Sequence, residues 1–382
     1  MKLFKKAIAI ITAAASMFLV VACDGGNGAK SSESTNKMVI TATSPSDGKT
    51  VCLTGKTVKE VYVDYTVGKS DGLSDGTDKF KGSPVVLKWA AKPAYENYAV
   101  NISLSPDLKD GKVYETVEPS LVLTDLFVGE TYYWQVSSRV DGKTVKSDLF
   151  KFTTDASPRT ICLDGVSNTR DIGGYKSING KKLKQGMIYR GGSPDEITDN
   201  GLAAAGNIYG LKTQLDLRTA EEAGKGCAFG ESVGYINISG AYYIGGKTGL
   251  DFEENKSVIA SEVRVFTEEK NYPVYFHCAL GRDRTGTLAM LLEGLCGISE
   301  SDILLDYELS SLSVAGTKDK NKISYMINNL FKPTMDYIKG FGDGSLQSGC
   351  ENFLLSCGLT KTEINKIIEI MVVGSFFRRY DS

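Results

Sequence analysis

The sequence predicts two folded parts: an all-β sandwich over residues 38–156, then an α/β domain with a mostly parallel central sheet and flanking helices over 160–382. The first rests on short runs that alternate apolar and polar residues, split by Asp, Gly, Lys and Ser, the pattern of antiparallel strands with one buried face. The second rests on apolar runs, Ile208 to Leu217, Tyr235 to Ile238 and Val274 to Phe276, spaced widely enough for helices between them. Strands buried on both faces read this way. A third observation lies at 273–296. A β-rich run stops at His277-Cys278, a loop with one glycine follows, and Thr287 to Cys296 reads as helix, so a strand, a loop and a helix N-terminus meet.

In chain order, Lys2, Lys5 and Lys6 precede an apolar run from Ala7 to Val21 that ends Leu19-Val20-Val21-Ala22-Cys23. The run is short for a membrane span and reads as a targeting segment, 1–22. It resembles a bacterial lipoprotein signal. The resemblance implies cleavage before Cys23, an acyl anchor on Cys23, and a place outside the cytoplasm on a bacterial membrane. Residues 23–37, rich in Gly, Ser, Asn and Thr, predict a flexible tether. A length of 382 residues suits two domains or more, and a net charge of -2 offers no basic face for nucleic acid.

The alternating runs of the sandwich are Val61 to Thr66, Val85 to Trp89, Tyr98 to Leu104, Tyr132 to Val136 and Leu149 to Thr154. Trp89 on an early strand, Leu126 in an Asp-Leu-x-x-Gly turn, and Tyr132 to Trp134 resemble a fibronectin type III or related immunoglobulin-like domain. Both tryptophans are expected in its core. The expected role is a spacer that lifts the second domain from the membrane, with glycan or protein binding as the alternative.

Within 273–286 the residues suit phosphoryl transfer to sulfur. Backbone N–H groups of Ala279 to Arg284 can form a nest for an anion, and the helix behind them adds its positive end. That field favours a Cys278 thiolate. Arg284, five residues after the cysteine, can hold two phosphoryl oxygens with its planar fork. Thr285 is placed to hydrogen-bond the sulfur as it leaves a phosphocysteine, and Gly281 supplies a turn where a Cβ would obstruct the phosphate. Ala279, Leu280, Gly281, Arg282 and Thr285 are the expected substrate-binding positions.

The run His277-Cys278-x5-Arg284-Thr285-Gly286 resembles the signature of the cysteine-dependent protein tyrosine phosphatases. Three further segments appear in that family's order: Asn168-Thr169-Arg170-Asp171-Ile172-Gly173-Gly174, Tyr189-Arg190, and Leu215-Asp216-Leu217-Arg218 with Glu221 and Glu222 behind it. Asp306-Tyr307-Glu308 fits as well. The likeness covers about 160 to the C-terminus and points to the bacterial branch that acts on tyrosine and lipid phosphates. It implies a phosphocysteine mechanism needing neither metal nor organic cofactor, with a phosphorylated protein as the default substrate. Phosphoinositides or soluble inositol phosphates are the alternative, which Arg282 would help if it met a second phosphate, though a solvated surface arginine is as ordinary. A surface module that binds phosphate without turnover is a further alternative.

The general acid has two candidates. Asp283 lies inside the loop, where the resembling branch keeps its acid; Asp251 lies about thirty residues upstream, where many tyrosine phosphatases carry one. Asp283 is preferred. His277, the single histidine of the chain, is read as a supporting residue bonding backbone around the loop. Arg170, Asp171, Arg190, Asp216 and Arg218 are read as braces. Of the eight cysteines, Cys52, Cys162, Cys227, Cys296, Cys350 and Cys357 are scattered without the density of a disulfide scaffold and read mostly as buried free thiols. No metal-ligating cluster shows zinc spacing. Ser299 and Thr360 are expected helix N-caps, and Tyr325 to Tyr337 either a lid or ordinary core helix.

Overall fold

The computed structural model describes residues 39–373 apart from 76, 81, 93, 224–225, 241–248, 251–252 and 318–321. Cys23 and Asp251 therefore lie outside the described residues, as do the targeting segment and the tether.

Two sheets face each other over the first part. Three antiparallel strands, β1 (Val39–Ser44), β3 (Val85–Lys92) and β6 (Ser120–Leu123), form one. The other runs β2 (Lys49–Val51), β9 (Phe150–Thr154), β7 (Thr131–Val140), β4 (Tyr98–Ser103) and β5 (Lys112–Thr116), with β8 (Lys143–Lys146) also on β7. Only β2 and β9 pair in parallel. Along β3 the buried Val85, Leu87 and Trp89 alternate with more exposed residues, and β7 buries Tyr132, Trp134 and Val136 in the same rhythm. These faces close one apolar core with Phe152, as period two requires.

The run Val61 to Thr66, read above as a strand, is not one. Residues Lys56–Tyr62 form helix α1, and a turn follows. Val58 and Val61, three apart on one helical face, are both fully buried. Short apolar runs suit either period, and here tertiary packing decided. This helix and the loop after it, inserted between β2 and β3, leave the sandwich and pack on the second part.

That second part holds a five-stranded sheet ordered β10 (Arg170–Asp171), β11 (Ile188–Gly191), β14 (Val274–His277), β12 (Thr213–Asp216), β13 (Gly234–Asn237). All pairings are parallel except β10 with β11. Helices α2 (Asp199–Asn207), α3 (Ala220–Ala223), α4 (Glu253–Arg264), α5 (Asp283–Leu295) and α6 (Glu300–Leu309) follow in chain order. They are joined by α7 (Ile323–Met326), α8 (Lys332–Lys339), α9 (Leu346–Ser356) and α10 (Lys361–Met371). α5 is buried on all sides after its first residue, so it is a core helix rather than an amphipathic one. The Ser299 hydroxyl accepts from Asp302 N at 3.1 Å, and Thr360 with Glu363 closes a capping box. Of Tyr325 to Tyr337, Met326, Phe331 and Met335 are core residues while Leu330 is exposed. The seven described cysteines are free thiols, Cys162 exposed and Cys52 and Cys227 half-buried.

The described residues belong to one unit. At the seam Arg159 is pinned between Asp125 at 2.8 Å on the sandwich and the fully buried Asp171, with the Phe127 ring 4.6 Å from its guanidinium carbon. Gln185 exchanges two hydrogen bonds with the backbone of Val128, at 2.8 and 3.0 Å.

Candidate active site

β14 lies between β11 and β12, and His277 is in register with Gly191 on one side and Asp216 on the other. The carboxyl ends of three parallel strands thus share one edge, where α/β sheets bind ligands. The chain leaves that edge at Cys278, buried to 4% exposure, and enters α5 at Asp283.

The carbonyls of Ala279, Leu280 and Gly281 in the turn between them, and that of His277 before it, are tied to other elements. His277 O accepts from Leu217 N at 2.9 Å and Ala279 O from Ser193 N at 3.0 Å. Leu280 O accepts from Asn168 Nδ2 and Gly281 O from Arg190 Nη2, both at 2.9 Å. Cys278 O accepts from the imidazole of its own neighbour, His277, at 3.1 Å. With the oxygens drawn outward, the N–H groups of Ala279, Leu280 and Gly281 donate to no described residue. Such unused amides beside a helix N-terminus make an anion nest.

Gly281 has φ +71, and a Cβ there would fall 2.2 Å from the carbonyl carbon of Gly191 and 2.6 Å from Gly192 N. The backbone of the β11 end therefore requires glycine at this position. The Thr285 hydroxyl is fully buried and has no hydrogen-bond partner among the described residues.

His277 is fully buried. Because Cys278 O can only accept, Nδ1 carries the proton and Nε2 accepts from Gln214 Nε2 at 3.0 Å. Burial pushes the imidazole down to about 4 against the pull of Asp216, which leaves it neutral and bonding the loop backbone at ordinary pH.

Arg284 makes a bidentate pair with Glu222 at 2.7 and 3.1 Å and reaches Leu217 O at 3.3 Å. Glu222 stands at the start of helix α3, where it also accepts from Thr219 N at 2.9 Å. The Arg284 hydrogen bonds hold its carboxyl down to about 2, against the effect of burial. The sequence reading quoted Glu222 only as part of a motif; what signals it is a carboxylate three residues after a capping threonine, beside the strand-end arginine.

Arg282 is buried to 4% exposure, so it is not a solvated surface arginine. Its guanidinium donates to both oxygens of Asp283 at 3.0 Å, and Tyr307 OH donates to Asp283 Oδ1 at 2.9 Å. Tyr307 stacks on Phe331, ring centroids 4.0 Å apart.

Behind the loop, Arg170 and Arg190 flank the fully buried Asp306. Burial works to raise the Asp306 carboxyl, but the two guanidiniums hold it below the usual carboxylate range. Arg170 donates as well to Asn168 Oδ1 at 2.6 Å, so Asn168 and Arg190, the two side chains on the loop carbonyls, share one ionic cluster. Arg218 brackets Asp216 and Asp195 at 2.8 and 2.6 Å. Asp171 lies away from the loop, taking Gly173 N, Gly186 N and Arg159. Asn168, Gln214 and Tyr307 were not singled out from the sequence, since each acts through a partner distant along the chain.

Residues 161–373 match the family model described as the tyrosine phosphatase family. A Cupriavidus necator protein, provisionally named a tyrosine-protein phosphatase, is 27% identical over 176 residues, 38% of this chain and 61% of that protein. The chain thus spans about three fifths of that curated relative's length. Among solved structures, the core catalytic domain of an S. cerevisiae PP-IP phosphatase in complex with citrate aligns with 41% of this chain and 90% of its own, at 16% identity and a TM-score of 0.26.

Proposed function

Because the chain belongs to the tyrosine phosphatase family over 161–373, we propose that it hydrolyses phosphomonoesters through a phosphocysteine intermediate, with phosphotyrosine protein as the substrate class. The observation that carries the reading is the loop after Cys278, whose carbonyls at 279–281 are tied to other elements and whose amides at the same positions have no described partner. The Cys278 thiolate attacks phosphorus, the ester P–O bond breaks, and Asp283 gives its proton to the leaving oxygen. Water then attacks the same phosphorus, returns a proton to Asp283, and the S–P bond breaks to release inorganic phosphate and thiolate. The loop amides and Arg284 follow the charge, and the unpartnered Thr285 hydroxyl is available to the departing sulfur. For Asp283 to act, it must give up at least one of its contacts with Arg282 and Tyr307; Asp251 is the alternative acid.

Arg282 is bidentate on Asp283, so its guanidinium would have to leave that carboxylate to meet a second phosphate. That favours a singly phosphorylated group. The N-terminal lipid on Cys23, the extracytoplasmic location, and the fibronectin type III likeness of the sandwich belong to the same proposal. Loss of labelled palmitate incorporation in Cys23→Ala checks the anchor.

The test is steady-state hydrolysis of p-nitrophenyl phosphate and a phosphotyrosine peptide in EDTA by the full chain, Cys278→Ser, Asp283→Asn and Asp251→Asn. The proposal requires activity that Cys278→Ser abolishes, and on the phosphopeptide a selective loss in Asp283→Asn. A selective loss in Asp251→Asn instead moves the acid to that residue. No turnover by the unmodified chain with retained phosphate binding would leave a phosphate-binding surface protein.

A further inference from the structure

The insertion between β2 and β3 carries residues that reach the phosphate loop from behind. Its helix α1 and Phe80 share an apolar cluster with Leu305 and Leu309 of α6 and with Leu312 in the turn after it. The buried carboxylate of Glu308 accepts from Tyr65 OH at 2.9 Å and from Gly68 N and Ser70 N at 2.8 Å. Lys79 N donates to Leu312 O at 2.8 Å. This fixes the far end of the insertion, Asp78 and Phe80, against the loop's supports.

Asp78 Oδ2 accepts from Asn168 N at 3.1 Å, while Asp78 Oδ1 takes Phe80 N at 2.8 Å. Asn168 stands at φ +64, in the left-handed region that residues with a Cβ adopt seldom, asparagine more readily than most. Its hydrogen bonds hold it there, one of them from Arg170 Nη1 to Asn168 O at 3.2 Å. Asp78 takes its N–H, Arg170 takes its Oδ1, and its Nδ2 is spent on Leu280 O. Phe80, buried to 2%, places its ring 5.2 Å from the Arg170 guanidinium carbon. A guanidinium so placed over a ring is held by cation–π attraction. The same Arg170 braces Asp306, which holds Arg190 on Gly281 O.

We propose that Asp78 and Phe80 are positioning residues of the phosphatase site, setting the register of the loop through Asn168 and Arg170. The N-terminal part of the chain is then a working component of catalysis, not a spacer. This rests on the reading of the loop as the phosphate site.

The experiment uses the full chain and four variants: Asp78→Ala, Asp78→Asn, Phe80→Leu and, as a control for packing alone, Val58→Ala. Val58 lies fully buried in the same insertion and belongs to its apolar cluster. Measured are kcat and KM on p-nitrophenyl phosphate, the inhibition constant for inorganic phosphate, and the rise in Tm that phosphate produces. The expected result is a fall of at least 10-fold in kcat/KM and a several-fold weaker phosphate constant in Asp78→Ala and Phe80→Leu. Asp78→Asn, which keeps an acceptor for Asn168 N, recovers most of both, and Val58→Ala lowers Tm while keeping kcat/KM within about 2-fold. The proposal is overturned if Asp78→Ala and Phe80→Leu keep wild-type kcat/KM and phosphate binding, or if Val58→Ala loses activity in the same proportion to its Tm. Should Asp78→Ala not fold, Asp78→Asn and Phe80→Leu decide by the same criteria. An unmodified chain without turnover would defeat the enzymatic reading, yet the phosphate-induced Tm rise would still report whether Asp78 and Phe80 shape the loop.

Discussion

A single imidazole makes one electrostatic argument directly measurable. His277 is enclosed between Gln214, the Cys278 carbonyl and the Tyr275 ring, and burial drives its proton affinity from 6.5 down to about 4. The perturbation is acidification. Below pH 6.5 the unfolded chain takes a proton on this histidine and the folded chain does not, so the unfolded state binds more protons and stability drops as the pH is lowered. The contribution is fully present above 6.5 and lost between 6.5 and about 4. The gap of 2.5, at 1.36 kcal/mol per pH unit, makes about 3 kcal/mol. The assay is twofold: the imidazole signal of untagged protein through a pH titration by NMR, and urea unfolding at pH 7, 6 and 5. The signal is expected to stay neutral through pH 5.5. Unfolding free energy is expected to drop by roughly 1 kcal/mol per pH unit beyond the drop of His277→Asn, which removes the titrating group. An imidazole that titrates at or above 6.5, or equal slopes in the two proteins, would refute both the neutral tautomer and the assignment of its Nδ1 proton to the loop carbonyl.

Glu222→Gln keeps the shape of the carboxylate but not its charge. Losing a charge-assisted hydrogen bond of about 1.5–3 kcal/mol should lower kcat/KM on p-nitrophenyl phosphate by about 10- to 100-fold, with little change in Tm because Glu222 is partly exposed. Gly281→Ala has to hold a Cβ at φ +71 and move the Gly191 backbone, so urea unfolding should show a loss of at least ~1–2 kcal/mol and phosphate should no longer raise Tm. Arg159→Met leaves the fully buried Asp171 without its cation and should cost about 3–5 kcal/mol by the same method. The double variant Arg159→Met with Asp171→Asn should recover part of that loss; equal stability of the single variant and wild type would remove Arg159 from the seam.

The strand, loop and helix start at 274–286 were legible because they are local. Cys278, Gly281, Arg284 and Thr285 sit within eight residues, and the strand before them and the helix after them carry their own periods. Ser299 and Thr360 were legible for the same reason, as a cap and its N–H partner lie three residues apart. What escaped is what depends on partners far along the chain. The sequence leaves Arg282 open between a substrate-binding position and a solvated surface arginine, because nothing in its own segment says that α5 will be buried all round. Glu222 meets Arg284 across 62 residues and Asn168 meets Leu280 across 112, distances at which no spacing rule operates. The segment 61–66 misled for a different reason: its alternation is real, but Val58 lies one helical turn before Val61, and the apolar end of α6 supplied the surface that made the helix worth forming.

The cluster of Arg170, Arg190 and Asp306 is hard to justify as a stabilising device. Burying three charges costs several kcal/mol per ion, and well-packed apolar residues of similar volume commonly do as well or better. Its geometry suggests another account. One arginine ends on Gly281 O, and the other holds the Asn168 side chain whose amide ends on Leu280 O. Hydrocarbon in the same volume would leave those two carbonyls without donors. They would then be free to rotate toward the position the phosphate needs, presenting oxygens where the nest requires N–H groups. An anion site built from backbone has to be defended from its own carbonyls, and a side chain that both donates and stays put at the centre of a core must be ionic and braced on several sides. On that argument the cost of the buried charges is the cost of keeping a turn of unbonded amides in place before the substrate arrives, and the reach of Phe80 to Arg170 and of Asp78 to Asn168 extends the same bracing into the N-terminal part of the chain.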